Sequence, residues 1–181
     1  RTHRQIGGIG MSAPQIRVET LCADYRVREL SESDVPEVLK LYKGNPIYFE
    51  HCPPAPSKDS VREDMHALPN GKTAQDKYFV GFFRGETLAA VMDLISGHPD
   101  DKTAFIGLFM VAKEFQGFGT GTDIISDCLR TLKFSGFERV RLAYVTTNMQ
   151  AKMFWLKNDF CPTGAKYKNE LYTAAVMEKV L

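Results

Sequence analysis

The stretch EFQGFGTGTD, residues 114–123, sets three glycines within five positions, between two apolar runs of different period. FIGLFMV (105–111) before it reads as a buried strand. After it, Ile124, Ile125, Cys128, Leu129 and Leu132 recur at helical spacing, with Gly136 as a stop. Glycines let backbone N–H groups turn outward, and the helix that follows adds the positive end of its dipole. The turn is therefore suited to an anion.

Three known patterns compete for it. The dinucleotide pattern GxGxxG finds Gly117 and Gly119 but meets Thr122 in its third place. Its acidic ribose ligand is also misplaced, since Glu138 opens the next strand where it should close one. The P-loop fails because no lysine follows any glycine of the turn. The third pattern, Q-x-x-G-x-G, is met by Gln116, Gly119 and Gly121, with Thr120 and Thr122 as hydroxyl donors. Asp123 in the first turn of the helix argues against an anion, and a ligand-free helix start is the plain alternative.

The rest of the chain narrows the class. At 181 residues it suits one domain, and 44% apolar with 25% charged residues is ordinary for a globular protein. A net charge of +1 gives no reason to expect nucleic acid or an anionic membrane as partner. No apolar run reaches the roughly 18 residues of a membrane span. Cys22, Cys52, Cys128 and Cys161 form no CxxC pair, so no metal site is expected, and reduced thiols in a cytoplasmic protein are the natural reading. RTHRQIGGIG has no secretory pattern, and Met11 is a candidate start. Residues 1–24 are expected to be a disordered leader or an expression remnant, with the folded domain over 25–181.

YRVREL (25–30) predicts a first strand and SESDVPEVLKLY a helix, with Ser31 and Asp34 at its start and Pro36 in its first turn. Four prolines predict an irregular GNPIYFEHCPPAPS (44–57), followed by a helix over 59–68. KYFVGFFR and ETLAAVMDLI read as a hairpin about Arg84 and Gly85. TAFIGLFMV, the helix over 120–135 and the strand over 138–145 make a strand–helix–strand unit with parallel strands. NMQAKMFWLKND predicts a further helix, and the tail two more strands, CPTGAKY and LYTAAVME. The class is α/β, in an α+β arrangement.

The run from about 105 to 160, with its Q-x-x-G-x-G turn and the later Asn148-x-x-Ala151-x-x-Phe154-Trp155, resembles the GCN5-related N-acetyltransferase (GNAT) family, and the order of elements extends the likeness over 25–181. The resemblance implies a central mixed, mostly antiparallel sheet of about seven strands flanked by four helices. It implies acetyl-CoA as co-substrate and an amine of a small molecule or peptide as acceptor. Phe109, Met110 and Val111 would bind the pantetheine arm as if it were an added strand. Gln116, Gly117, Phe118, Gly119, Thr120, Gly121 and Thr122 would hold the pyrophosphate. Asn148, Ala151, Phe154 and Trp155 would line the cofactor, while Lys152 is read as solvated. Gly107 would mark the bulge where two strands part. Many relatives pair as homodimers.

Two departures bear on catalysis. The family's tyrosine after the helix phenylalanine, a proton donor to the departing thiolate, is here Trp155, whose indole is too weak an acid. The family's glycine before the next phenylalanine is Asp159. Tyr144, Tyr167 and Tyr172 are substitute donors, and Glu50, His51 and Asp93 are candidate bases. A strand N–H near Met110 or Val111 would face the developing oxyanion. An N-acetyltransferase is the first reading; a non-catalytic acyl-CoA-binding module is the alternative, and a scaffold for protein contact the third.

Overall fold

The computed structural model describes residues 12–181. Its first half runs β1 (Arg26–Glu29), α1 (Val35–Lys43), α2 (Pro46–His51), α3 (Lys58–His66), β2 (Lys77–Arg84) and β3 (Thr87–Ser96). Its second half runs β4 (Thr103–Val111), α4 (Thr120–Ser135), β5 (Arg139–Val145), α5 (Met149–Lys157), β6 (Cys161–Lys168) and β7 (Thr173–Val180). The strands form one sheet in the order β1-β2-β3-β4-β5-β7-β6. Every neighbouring pair is antiparallel except β4 and β5.

Helices cover both faces. One core joins Ile124, Ile125, Cys128, Leu129 and Leu132 of α4, with Trp155 of α5, to Met92, Leu94, Ile106 and Leu142 of the sheet. The other joins Val35, Val38, Leu41 and Tyr42 of α1 and Val61 and Met65 of α3 to Phe79, Val91, Leu108 and Met110. β3, in the middle, is buried at every residue after Thr87, so its sequence shows a continuous apolar run with no alternation.

The fold class is as expected, with three local differences. Residues 12–24 are not a loose leader: Leu21 is fully buried, and Ile16 and Cys22 pack in the first core. Thr131 Oγ1 donates to Thr20 O at 2.7 Å and the Ala23 N–H to Asp127 Oδ2 at 3.1 Å, so α4 holds this segment down. Residues 1–11 of the expected leader lie outside the described residues. The second difference is α2, a fifth helix inside the stretch expected to be irregular. Pro46 sits in its first turn, where the missing N–H costs nothing, and the other three prolines, Pro53, Pro54 and Pro56, all follow its end. The third is the β2–β3 turn, which falls on Gly85 and Glu86, one residue later than expected.

Candidate active site

The site starts from a failure of pairing. β4 and β5 are in register only from Thr103↔Arg139 to Ile106↔Leu142. Along β3 the register steps from Asp93↔Leu108 to Leu94↔Ile106, which leaves Gly107 as the extra residue of a bulge. The bulge turns β4 away from β5, and a cavity of about 700 Å³ opens between them.

Beyond Gly107 the edge of β4 that faces β5 has no strand partner among the described residues. The Ala112 N–H donates to Ala89 O of β3 at 2.8 Å, so the Val111 carbonyl points the other way. There it accepts from Asn45 Nδ2 at 3.1 Å and from Gln116 Nε2 at 2.9 Å. Alternation gives Phe109 the same free edge and turns the Met110 backbone toward β3. Met110 is therefore committed to the sheet, and the free N–H groups on this edge belong to Phe109 and Val111.

The glycine turn closes one end of the cavity. Gly117 and Gly119 hold φ of 84° and 76°, left-handed values that favour glycine. Among the described residues no side chain caps α4, and the N–H groups of its first turn, at Thr120, Gly121 and Thr122, have no helical acceptor. All three residues line the cavity. Gly121 lies against α5, where a Cβ would come 3.1 Å from the Phe154 ring. Gln116 has a different part from the one expected. Its side-chain amide donates to Val111 O and to Asn45 Oδ1, the latter at 2.8 Å, and its backbone N–H to Lys113 O. It braces the end of β4 and has no donor left for a phosphate. Phe118, 80% exposed, lines a separate smaller cavity with Tyr25 and Arg84.

α5 forms the opposite wall. Asn148, buried, caps the helix by accepting from the Ala151 N–H at 3.0 Å, and also lines the cavity. Ala151, Phe154 and Trp155 follow on the same face. The Trp155 ring meets Phe154 and Phe160 edge to face, with centroids at 4.9 and 5.2 Å. At the far end of the helix, Asn158 Nδ2 reaches Thr122 Oγ1 at 3.4 Å, which sets Lys157 on the glycine-turn side.

The other end is walled by Ile47 and Tyr48 of α2, by Cys52, and by Tyr172 and Ala174 near the start of β7. Burial pushes the Tyr48 and Tyr172 phenols and the Cys52 thiol above their ordinary values, so all three stay protonated at neutral pH. Sequence reasoning missed Tyr48, Cys52 and Asn45, and no local pattern marks them. Of the candidate donors, Tyr144 and Tyr172 line the cavity, whereas Tyr167 is 63% exposed on the edge strand β6. None of the candidate bases lines it. Glu50 is exposed, and His51 is held at Nδ1 by Thr147 Oγ1, 2.8 Å away. Asp93 is buried behind β4, with Lys77 Nζ 3.0 Å from its Oδ1. Among the described residues, no group of three or more His, Cys, Asp or Glu is placed to hold a metal ion.

A strand edge without a partner, an uncapped helix start behind two left-handed glycines, and an aromatic wall fit a long ligand with an anionic group at one end. Comparison with known proteins agrees with that geometry. The sequence matches the profile of the Acetyltransferase (GNAT) family over residues 38–160. Among solved structures, an acetyltransferase from Thermus thermophilus superposes with a TM-score of 0.70 at 19% identity, covering 88% of this chain and 98% of that one. A GCN5-related N-acetyltransferase from Kribbella flavida gives 0.63 at 19% identity, covering 87% and 98%. The PaiA N-acetyltransferase from Thermoplasma acidophilum, solved in complex with coenzyme A, gives 0.63 at 16% identity, covering 88% and 100%. Comparison with curated proteins gave no match. With the profile running from α1 to the end of α5 and the cleft built on that same strand–turn–helix unit, the chain belongs to the Acetyltransferase (GNAT) family.

Proposed function

We propose that the protein moves the acetyl group of acetyl-CoA to the nitrogen of an amine. The observation that carries this reading is the uncapped first turn of α4, set beside a β4 edge with no strand partner. The N–H groups of Thr120, Gly121 and Thr122 would receive the pyrophosphate, with the helix dipole behind them. Phe109 and Val111 would bond the pantetheine arm along the free edge, and Ala151, Phe154 and Trp155 would exclude water from its other side. Acetyl-CoA supplies an activated thioester. The amine nitrogen bonds the acetyl carbon as the C–S bond breaks; the amine gives up one proton and the departing sulfur takes one. The Val111 or Phe109 N–H would face the oxyanion. The amine proton goes to water, because no imidazole or carboxylate among the described residues lines the cavity. Tyr144, on the cavity wall, is the candidate donor to the thiolate, with water as the alternative.

The second reading, a non-catalytic acyl-CoA-binding module, is favoured by that same lack of a base and by Trp155 in the place of the family's acid. Calorimetry with acetyl-CoA tests the cofactor site, and release of free thiol over a panel of amines tests transfer. Binding without thiol release from any amine would leave the module standing, and absence of binding would remove both readings. A homodimer belongs to the proposal through the exposed stripe Met149, Met153 and Leu156 on α5, and sedimentation velocity measures it.

A further inference from the structure

The two ends of the cleft differ in chemistry. Lys157 is the one charged side chain lining it among the described residues, and it stands at the glycine-turn end. At the other end the wall is Ile47, Tyr48, Cys52, Leu108, Tyr172 and Ala174, with the neutral amides of Asn148 and Gln150 at the start of α5. The acidic groups behind that wall are occupied. Asp64 accepts from Tyr42 OH at 2.8 Å, and Asp93 is paired with Lys77. Neither lines the cavity.

A cation that enters such an end loses its water and gains no counter-charge, which is costly. The aromatic faces of Tyr48 and Tyr172 offset only part of that loss. An amine avoids the loss by entering neutral, the form in which it must attack. At pH 7.5 about one in three α-amino groups is neutral, for a pKa of about 7.7–8.0, but only roughly one in a thousand alkylamines of pKa about 10.4. A second ammonium group, as in a polyamine or an aminoglycoside, meets no carboxylate on this lining among the described residues. A free carboxylate on the acceptor fares no better, because no described residue lining this end is a cation.

Building on the acetyl-transfer reading, we propose that the acceptor is a single amine of low basicity next to an apolar or aromatic group, with no second cation and no free carboxylate. An amidated apolar α-amino acid and the N-terminus of a peptide that starts with such a residue share this chemistry.

Thiol release at pH 7.5 is measured with phenylalanine amide, a pentapeptide beginning with phenylalanine, Nα-acetyllysine amide, spermidine and kanamycin. The expected result is a kcat/KM at least tenfold higher for the first two than for the last three, and the better of the first two identifies the source. Equal or higher kcat/KM for spermidine, kanamycin or the lysine derivative overturns the proposal. Ile47→Asp puts a carboxylate on the wall at a residue 49% exposed, where a charge is tolerated. It should narrow the preference for phenylalanine amide over spermidine at least tenfold, and an unchanged ratio in the folded variant counts against the wall as the selector. Should no amine release thiol, the transfer reading fails and binding decides this inference separately. Saturation-transfer NMR on the protein with coenzyme A should then detect phenylalanine amide but not spermidine. The reverse order, or neither ligand bound, overturns it.

Discussion

The carboxylate of Asp93 fills the space a side chain at Gly107 would need: a Cβ there would lie 2.5 Å from Asp93 Oδ2. Asp93 cannot step aside easily, because it is buried and its other oxygen faces Lys77 at 3.0 Å. Gly107→Ala must therefore move the strand or break the ion pair. We expect a loss of about 1–3 kcal/mol in urea unfolding. Acetyl-CoA affinity should fall as well, since the bulge at Gly107 is what parts β4 from β5. An unchanged unfolding midpoint with unchanged affinity would show that the bulge does not depend on this contact.

Asp93 also makes stability depend on pH. Burial raises its pKa from 3.8 to about 6, and Lys77 offsets only part of the rise. The geometry explains the partial offset: Lys77 donates to Ala67 O at 2.7 Å, while Asp93 Oδ1 has no aligned hydrogen-bond donor among the described residues despite the short ion-pair distance. A carboxyl with a raised folded pKa keeps a proton that the unfolded chain releases. Its contribution is full below pH 3.8 and is lost as pH rises to about 6. The span corresponds to roughly 3 kcal/mol at most. The unfolding free energy of the parent minus that of Asp93→Asn should fall between pH 4 and 7. A difference constant over that range would mean Asp93 is not desolvated as described.

The glycine turn makes two separable demands. Gly119 has open space around its Cβ position but a φ of +76°, so Gly119→Val is strained in the backbone. Gly121 has ordinary φ but lies against Phe154, so Gly121→Val collides with the aromatic wall. Each should weaken acetyl-CoA binding tenfold or more, about 1.4 kcal/mol, by calorimetry. Gly121→Val should in addition be partly rescued by Phe154→Ala, and Gly119→Val should not. Full cofactor affinity in both folded single variants refutes the pyrophosphate assignment.

The strand–turn–helix unit was legible because its parts are local: a continuous apolar run, glycines at fixed offsets and a helical period. Gly107 as the bulge came with the resemblance to the family, since nothing in its immediate neighbours marks it. What escaped depends on contacts far apart in sequence. Gln116 meets Asn45 across 71 positions, and Leu21 is buried against strands that follow much later. The wall opposite the glycine turn combines Tyr48 and Cys52 with Tyr172, a juxtaposition set by how α2 and the start of β7 meet. Two of the three residues that sequence reasoning named as bases, Glu50 and His51, lie on α2 with Ile47 and Tyr48 but do not line the cavity. A loop sequence does not report which way a short helix turns.

Asp159, in the place of the family's glycine, sits at φ 66°, the left-handed region that glycine occupies at no cost. Its carboxylate is 85% exposed and only 3.9 Å from Lys179 Nζ, an interaction worth little in water. Asp159→Gly should thus raise stability, by up to about 1 kcal/mol of relieved strain. For a chain of this size that is about 2–4 °C in Tm. A lower Tm would show that the Lys179 contact outweighs the backbone conformation.

Trp155 occupies the position of the family's proton donor but packs as a core residue, 7% exposed between Phe154, Phe160 and Phe109. Its role in this geometry is to wall off the cleft and set the Phe154 ring against Gly121. Trp155→Phe keeps an aromatic ring there, so its cost should stay well below the roughly 3–5 kcal/mol of a full truncation to Ala. Acetyl transfer by this variant should remain within a few-fold of the parent, because the indole has no proton to give. Trp155→Tyr supplies a phenol at the family's position and should leave the rate unchanged or raise it. A steep fall of kcat in Trp155→Phe with unchanged acetyl-CoA affinity would overturn this view, since a loss confined to kcat means that the indole N–H makes a contact formed only in the transition state.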